Sequence, residues 1–242
     1  MNRLALLLSS AMLAAALAAA PAMAQVTTGE HLTPQNNTLS GTSGYARYYA
    51  RVIDAFPEAF DSDVKVRAIG APAGAFLESA TGIAANPDGS YRVFFAKTDI
   101  WLWNAPDPST YVPPPTPTPS PAKGKGRHAK PAAAAAPPPP AGPKIGRCSR
   151  PIDAALANRI ITVWSAMLEQ TRYDVPEPGR APVYFFSGGD PWLAGQASSW
   201  MENTRVHLLV RIVEEIGNYC QSGDATALKA QTDALSKRFG LP

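Results

Sequence analysis

Residues 81–96 read TGIAANPDGSYRVFFA, two apolar-rich runs on either side of Asn86-Pro87-Asp88-Gly89. Proline fixes φ early in a turn and glycine accepts the positive φ that closes it. The stretch therefore predicts an antiparallel hairpin, with Thr81 to Ala85 as one strand and Tyr91 to Ala96 as the other. A lone hairpin is marginal in water and needs more strands and a packed layer beside it. Just upstream, Val64 to Ile69 (VKVRAI) alternates apolar and polar residues as a half-buried strand does, and Phe76 to Ser79 offers a further short strand. Just downstream, Ile100-Trp101-Leu102-Trp103 is an apolar run that has to be buried or bound to something.

Helical signals frame these strands. Tyr45, Tyr48, Tyr49, Val52, Ile53 and Phe56 recur at helical spacing and predict one apolar face, closed by Pro57. A tyrosine-rich face of this kind reads as core with its hydroxyls near the surface, in preference to a sugar platform. Beyond Cys148, Asp153 suits an N-cap for a helix to about Arg172, whose buried face is Leu156, Ile160, Val163, Trp164, Met167 and Leu168. Pro182 to Ser187 and Trp192 to Ala197 read as two short strands joined through Gly188-Gly189-Asp190-Pro191. A long helix follows from Asn203 or Thr204, with Val206, Leu209, Val210, Val213, Ile216 and Cys220 on one face. Gly223-Asp224 stops it, and Thr226 to Phe239 is a last amphipathic helix.

Between the two halves, residues 105–147 hold fourteen of the 25 prolines, an alanine run and six basic side chains against one acid. Such a composition buries too little apolar surface to order itself and predicts a disordered, basic, Pro-rich linker. Its six cations (Lys123, Lys125, Arg127, Lys130, Lys144, Arg147) also explain the net charge of +3, because the rest of the chain is mildly acidic. A nucleic-acid-binding domain would carry its basic face on the folded part, so nucleic acid is not the expected partner.

Residues 45–104 alone are close to the lower limit of independent stability. The expected fold is therefore α+β: residues 45–104 and 148–242 form one discontinuous domain, with a small antiparallel sheet of about four to five strands. Three to four helices pack on one face of it. Two separate domains joined by the linker are the alternative. Residues 25–44 are polar and aperiodic and read as a flexible lead-in that includes His31.

The start of the chain has the form of a secretory signal. Arg3 precedes an uncharged apolar run from Leu4 to Ala20, and Pro21 and Ala22-Met23-Ala24 follow, so cleavage is expected after residue 24. No later apolar stretch is long enough to span a bilayer. The expected location is the periplasm or the exterior. The two cysteines, Cys148 and Cys220, lie in the exported part and are expected to form a disulfide.

Motifs for chemistry are sparse. Ser187, Asp190 and His207 compose a conceivable hydrolase set with glycine amides as oxyanion hole, but the G-x-S-x-G elbow is absent and a hairpin turn accounts for Ser187 to Pro191. His207 falls off the main apolar stripe of its helix and is expected to face solvent. Paired carboxylates for glycoside cleavage would come from residues such as Glu58, Asp61, Asp63, Glu78, Glu202, Glu214 and Glu215, with the last two read as a solvated helix face. No metal-ligand spacing and no phosphate-cradling glycine loop is present, so no metal and no cofactor is expected. Trp101, Trp103, Trp192 and Trp200 flank strands and turns and are the candidate ligand-binding aromatics. These features favour an exported, non-catalytic binding protein of the cell envelope, whose partner is a protein, a glycan or a small ligand. An envelope hydrolase and a structural spacer acting through the linker are the alternatives.

Overall fold

A computed structural model of the chain describes residues 29–35, 43–70, 77–104, 142–173, 184–197 and 202–242. Among the described residues there are seven strands: β1 (Thr33–Pro34), β2 (Val64–Gly70), β3 (Ser79–Ala85), β4 (Tyr91–Thr98), β5 (Ile145–Ile152), β6 (Tyr184–Gly188) and β7 (Leu193–Ala197). The helices are α1 (Ser43–Ala55), α2 (Ala154–Glu169), α3 (Arg205–Ser222) and α4 (Thr226–Phe239), with 3-10 turns at Pro57–Ala59 and Leu102–Asn104.

The expected hairpin forms between β3 and β4, with Ala85 opposite Tyr91. Its turn closes through Gly89 N–H to the Asn86 carbonyl at 2.9 Å, and Gly89 takes φ +83°. Around it the order is β1-β7-β6-β2-β3-β4-β5, antiparallel throughout. Strands on both sides of residues 105–141 thus share one sheet, with β2 hydrogen-bonded to β6 and β4 to β5.

The architecture is α+β, but the sheet has seven strands where about four to five were expected. Both unforeseen strands lie at the edges. β5 begins at Ile145, inside the stretch assigned to the linker, and contains Gly146 and Pro151. An edge strand makes one ladder only, so it tolerates proline and glycine and need not alternate. β1 lies in the supposed lead-in, where Leu32 and His31 are buried. Phe76 lies outside the described residues, and the short strand expected up to Ser79 is absent as a separate element because β3 starts at Ser79.

Helix ends follow from local chemistry. Asp153 accepts from Leu156 N–H at 3.0 Å and Thr204 from His207 N–H at 3.1 Å, each satisfying an N-terminal amide that the helix itself leaves unpaired. Helices cover both faces, whereas one face was expected. On one face, Trp164 of α2, Leu209 and Ile216 of α3 and Leu228 of α4 pack against Val66, Ala68, Ile83, Val93 and Phe186. On the other, Val52 of α1 and the following Phe56 pack with Leu102 against Ile69, Ala80, Ala84 and Phe94. Each such large apolar side chain contributes about 1.5–3 kcal/mol by leaving water. Ile53, expected on the buried stripe of α1, is instead 36% exposed.

Cys148 on β5 and Cys220 in the last turn of α3 form a disulfide with Cα atoms 6.0 Å apart. It ties an edge strand to a core helix and restricts the unfolded chain, an effect worth about 2–4 kcal/mol. Arg150 Nε donates to the Cys220 carbonyl at 3.0 Å and the Tyr219 hydroxyl to that of Pro151 at 2.7 Å, fastening the same junction. No helix among the described residues is long and apolar enough to cross a membrane.

Candidate functional site

Strand alternation decides where the polar residues of β2 and β6 point. Val66, Ala68 and Phe186 enter the core beneath α2 and α3, and the Phe186 ring meets that of Trp164 edge-on with centroids 5.5 Å apart. Arg67 and Ser187, opposite one another in the ladder, must then project from the other face. There Arg67 Nε donates to Ser187 Oγ at 3.0 Å and Nη1 donates to the Ala59 carbonyl at 2.8 Å.

Two aromatic rings complete the seat of the guanidinium. Phe60, placed by the Pro57–Ala59 turn, has its ring centroid 4.2 Å from Arg67 Cζ, and Trp192, on the β6–β7 turn, has its centroid 5.1 Å away. Tyr49 of α1 braces Phe60 edge-on at 5.9 Å. Ring faces attract a cation but do not neutralise it. Among the described residues, no carboxylate lies within ion-pair distance of Arg67. Burial lowers the Arg67 pKa from its ordinary value, and Tyr49 acts in the opposite direction. The charged guanidinium thus carries a desolvation cost that an incoming anion would offset.

A cleft of about 670 Å³ opens beside Arg67 at the end of the sheet. Asp61 lines it from the segment entering β2 and Lys65 from β2 itself, Asp190 and Trp192 from the β6–β7 turn, and Ile161 and Ser165 from α2. Gly188 and Gly189 let this turn lie close to β2. A Cβ on Gly188, whose φ is +155°, would stand 2.6 Å from the Lys65 carbonyl oxygen, and Gly189 N–H donates to that oxygen at 3.2 Å.

The candidates read from the sequence separate here. Ser187, Asp190 and Trp192 come to this end of the sheet. His207 does not: it sits in the first turn of α3, on the opposite face from Ser187, half-buried, with Nδ1 shut off from solvent. Ser187 is itself buried, its hydroxyl engaged by Arg67. Trp101 and Trp103 are 39% and 47% exposed and lie by α1, where Trp103 meets Tyr48 at 5.2 Å and Arg51 Nη1 donates to the Leu102 carbonyl at 3.0 Å. Trp200 lies outside the described residues.

Among the carboxylates, Glu78 is fully buried and its Oε1 accepts from Leu102 N–H at 3.1 Å, a structural tether for the turn that carries the two tryptophans. Glu215, expected on a solvated face with Glu214, is 9% exposed and takes hydrogen bonds from Arg211 and Asn218. No group of three or more His, Cys, Asp or Glu among the described residues is arranged to hold a metal ion.

Comparison with protein-family models, curated proteins and solved structures found no match to this chain. Its chemistry is read from the cleft itself. Sequence reasoning missed Arg67, Phe60 and Lys65, because alternation assigns Lys65 and Arg67 to a polar face and cannot show what covers that face. The one signal available was that both polar positions of VKVRAI are basic.

Proposed function

We propose that this protein is an exported, disulfide-stabilised binding protein of the cell envelope, in the form of one discontinuous domain. It catalyses no reaction and holds its ligand in the cleft beside Arg67. The secretory form of residues 1–24 supports the location, as does the joining of both cysteines in one disulfide, a bond characteristic of oxidising compartments. The observation that carries the site is the Arg67 guanidinium, fixed by two hydrogen bonds and two rings and left, among the described residues, without a carboxylate in ion-pair distance. A partly desolvated, immobilised cation at the wall of a cleft suits a carboxylate, which a guanidinium meets through paired N–H donors. Trp192 supplies an apolar surface next to it. The engagement of Ser187 by Arg67 and its separation from His207 weigh against the hydrolase alternative.

Phenylacetate, a carboxylate with one ring, is a suitable probe. In a 1H–15N NMR titration of the oxidised protein, the Arg67 Nε–H and Trp192 indole N–H signals are expected to shift saturably at millimolar concentration. Arg67→Met is expected to abolish the Trp192 shift while the protein still melts cooperatively. Unmoved signals in the parent protein would count against the site.

A further inference from the structure

The cleft carries charge of both signs. Arg67 and Lys65 supply two cations and Asp61 and Asp190 two carboxylates, so its lining is formally neutral. None of the four is within ion-pair distance of another, nor of any other described charged side chain. Opposite charges sharing a concave wall without pairing leave each free to meet a charge brought in from outside.

Such a lining selects by sign. A polyanion attracted by Arg67 and Lys65 meets repulsion from Asp61 and Asp190, and a polycation meets the reverse. Like charges brought together cost free energy, so ligands of one sign are disfavoured whichever sign they carry. A molecule with a carboxylate at one end and an ammonium at the other satisfies both pairs. At about 670 Å³ the cleft falls in the size range of small-molecule sites and has room for more than a single ion. Its apolar wall, from Ile161 and Trp192, suits small side chains between the two charged ends.

We infer that the ligand is a small zwitterion of amino-acid or short-peptide type, its carboxylate on Arg67 and its ammonium toward Asp61 and Asp190. The inference rests on the reading of the Arg67 cleft as a ligand site. Calorimetric titration with alanine, alanyl-alanine and trialanine tests it, each unblocked, N-acetylated or C-amidated. The expected result is binding of at least one unblocked compound, weakened at least tenfold by either blocking group. The lengths distinguish a free amino acid from a peptide.

Variants assign the ends. In Arg67→Met, C-amidation is expected to cost nothing further. In the Asp61→Asn, Asp190→Asn double variant, which changes two exposed side chains and is expected to melt as the parent protein does, N-acetylation is expected to cost nothing further. Equal affinity for acetylated and free forms would overturn the zwitterion while leaving a carboxylate site. Failure of all three compounds in a protein that still responds to phenylacetate at Arg67 and Trp192 would overturn it too. Loss of the phenylacetate response itself would instead remove the underlying site.

Discussion

Tyr48 and Arg67 show how burial changes what a single polar side chain contributes. The Tyr48 hydroxyl lies in the layer between α1 and the sheet, near the Glu78 carboxylate. Burial first, and then the negative charge of Glu78, raise its pKa well above the ordinary value of 10.0. The unfolded chain therefore loses this proton near the ordinary value while the folded chain keeps it. The resulting stability is complete below about pH 10 and falls as pH rises further, because the unfolded state then binds fewer protons. Tyr48→Phe has no such proton to lose. Urea midpoints measured from pH 8 to 10.5 are expected to fall less steeply for this variant than for the parent protein. Tyr184, also raised by burial and then by Glu214, keeps a residual slope in both. A slope identical in the two proteins would show that Tyr48 does not hold its proton in the way described. Helical spacing put the Tyr48 ring in the core but left its hydroxyl near the surface, and Arg67 read as a polar residue of a half-buried strand, because what covers the hydroxyl and the guanidinium comes from distant segments.

At the level of elements, the β6–β7 turn joins stability to the site. Ser187-Gly188-Gly189-Asp190-Pro191 read as a turn, and a turn it is, but its closeness to β2 was not visible. Gly188→Ala would place a methyl against the Lys65 carbonyl in a backbone region that L-residues avoid. Strain of this sort costs about 1–3 kcal/mol. The measurement is a denaturant midpoint, with the Trp192 indole signal expected to shift because the turn must move away from β2. The helices were legible to within a few residues, since their periodicity and their caps at Asp153 and Thr204 are local signals. β1 and β5 were not, because a strand at a sheet edge carries neither a two-sided apolar pattern nor a ban on proline.

For the whole molecule, what matters is how the two halves of the sequence interleave. β2 lies between β3 and β6, and β4 lies between β3 and β5, so each half completes the ladder of the other. A protein in which residues 123–130 are replaced by a protease recognition sequence and then cut is expected to remain one non-covalent complex. It should melt in a single cooperative transition. Native mass spectrometry and calorimetry read the two properties. Two separately folding pieces would overturn the single discontinuous domain. Deletion of residues 112–140 is likewise expected to leave the phenylacetate response intact, whereas a spacer has no reason to bind the probe at all.

The helices, the β3–β4 hairpin, the antiparallel α+β class and the two cysteines available for a disulfide were all readable along the chain. These follow from residues a few positions apart, whose spacing sets which face is apolar and where the backbone turns. The seven-strand order, the burial of His31 and Glu78, and the seat of Arg67 between Phe60 and Trp192 emerge with the folded packing alone. Each depends on segments far apart in the chain arriving at one place, and alternation along a strand fixes a side chain's direction without fixing what it meets.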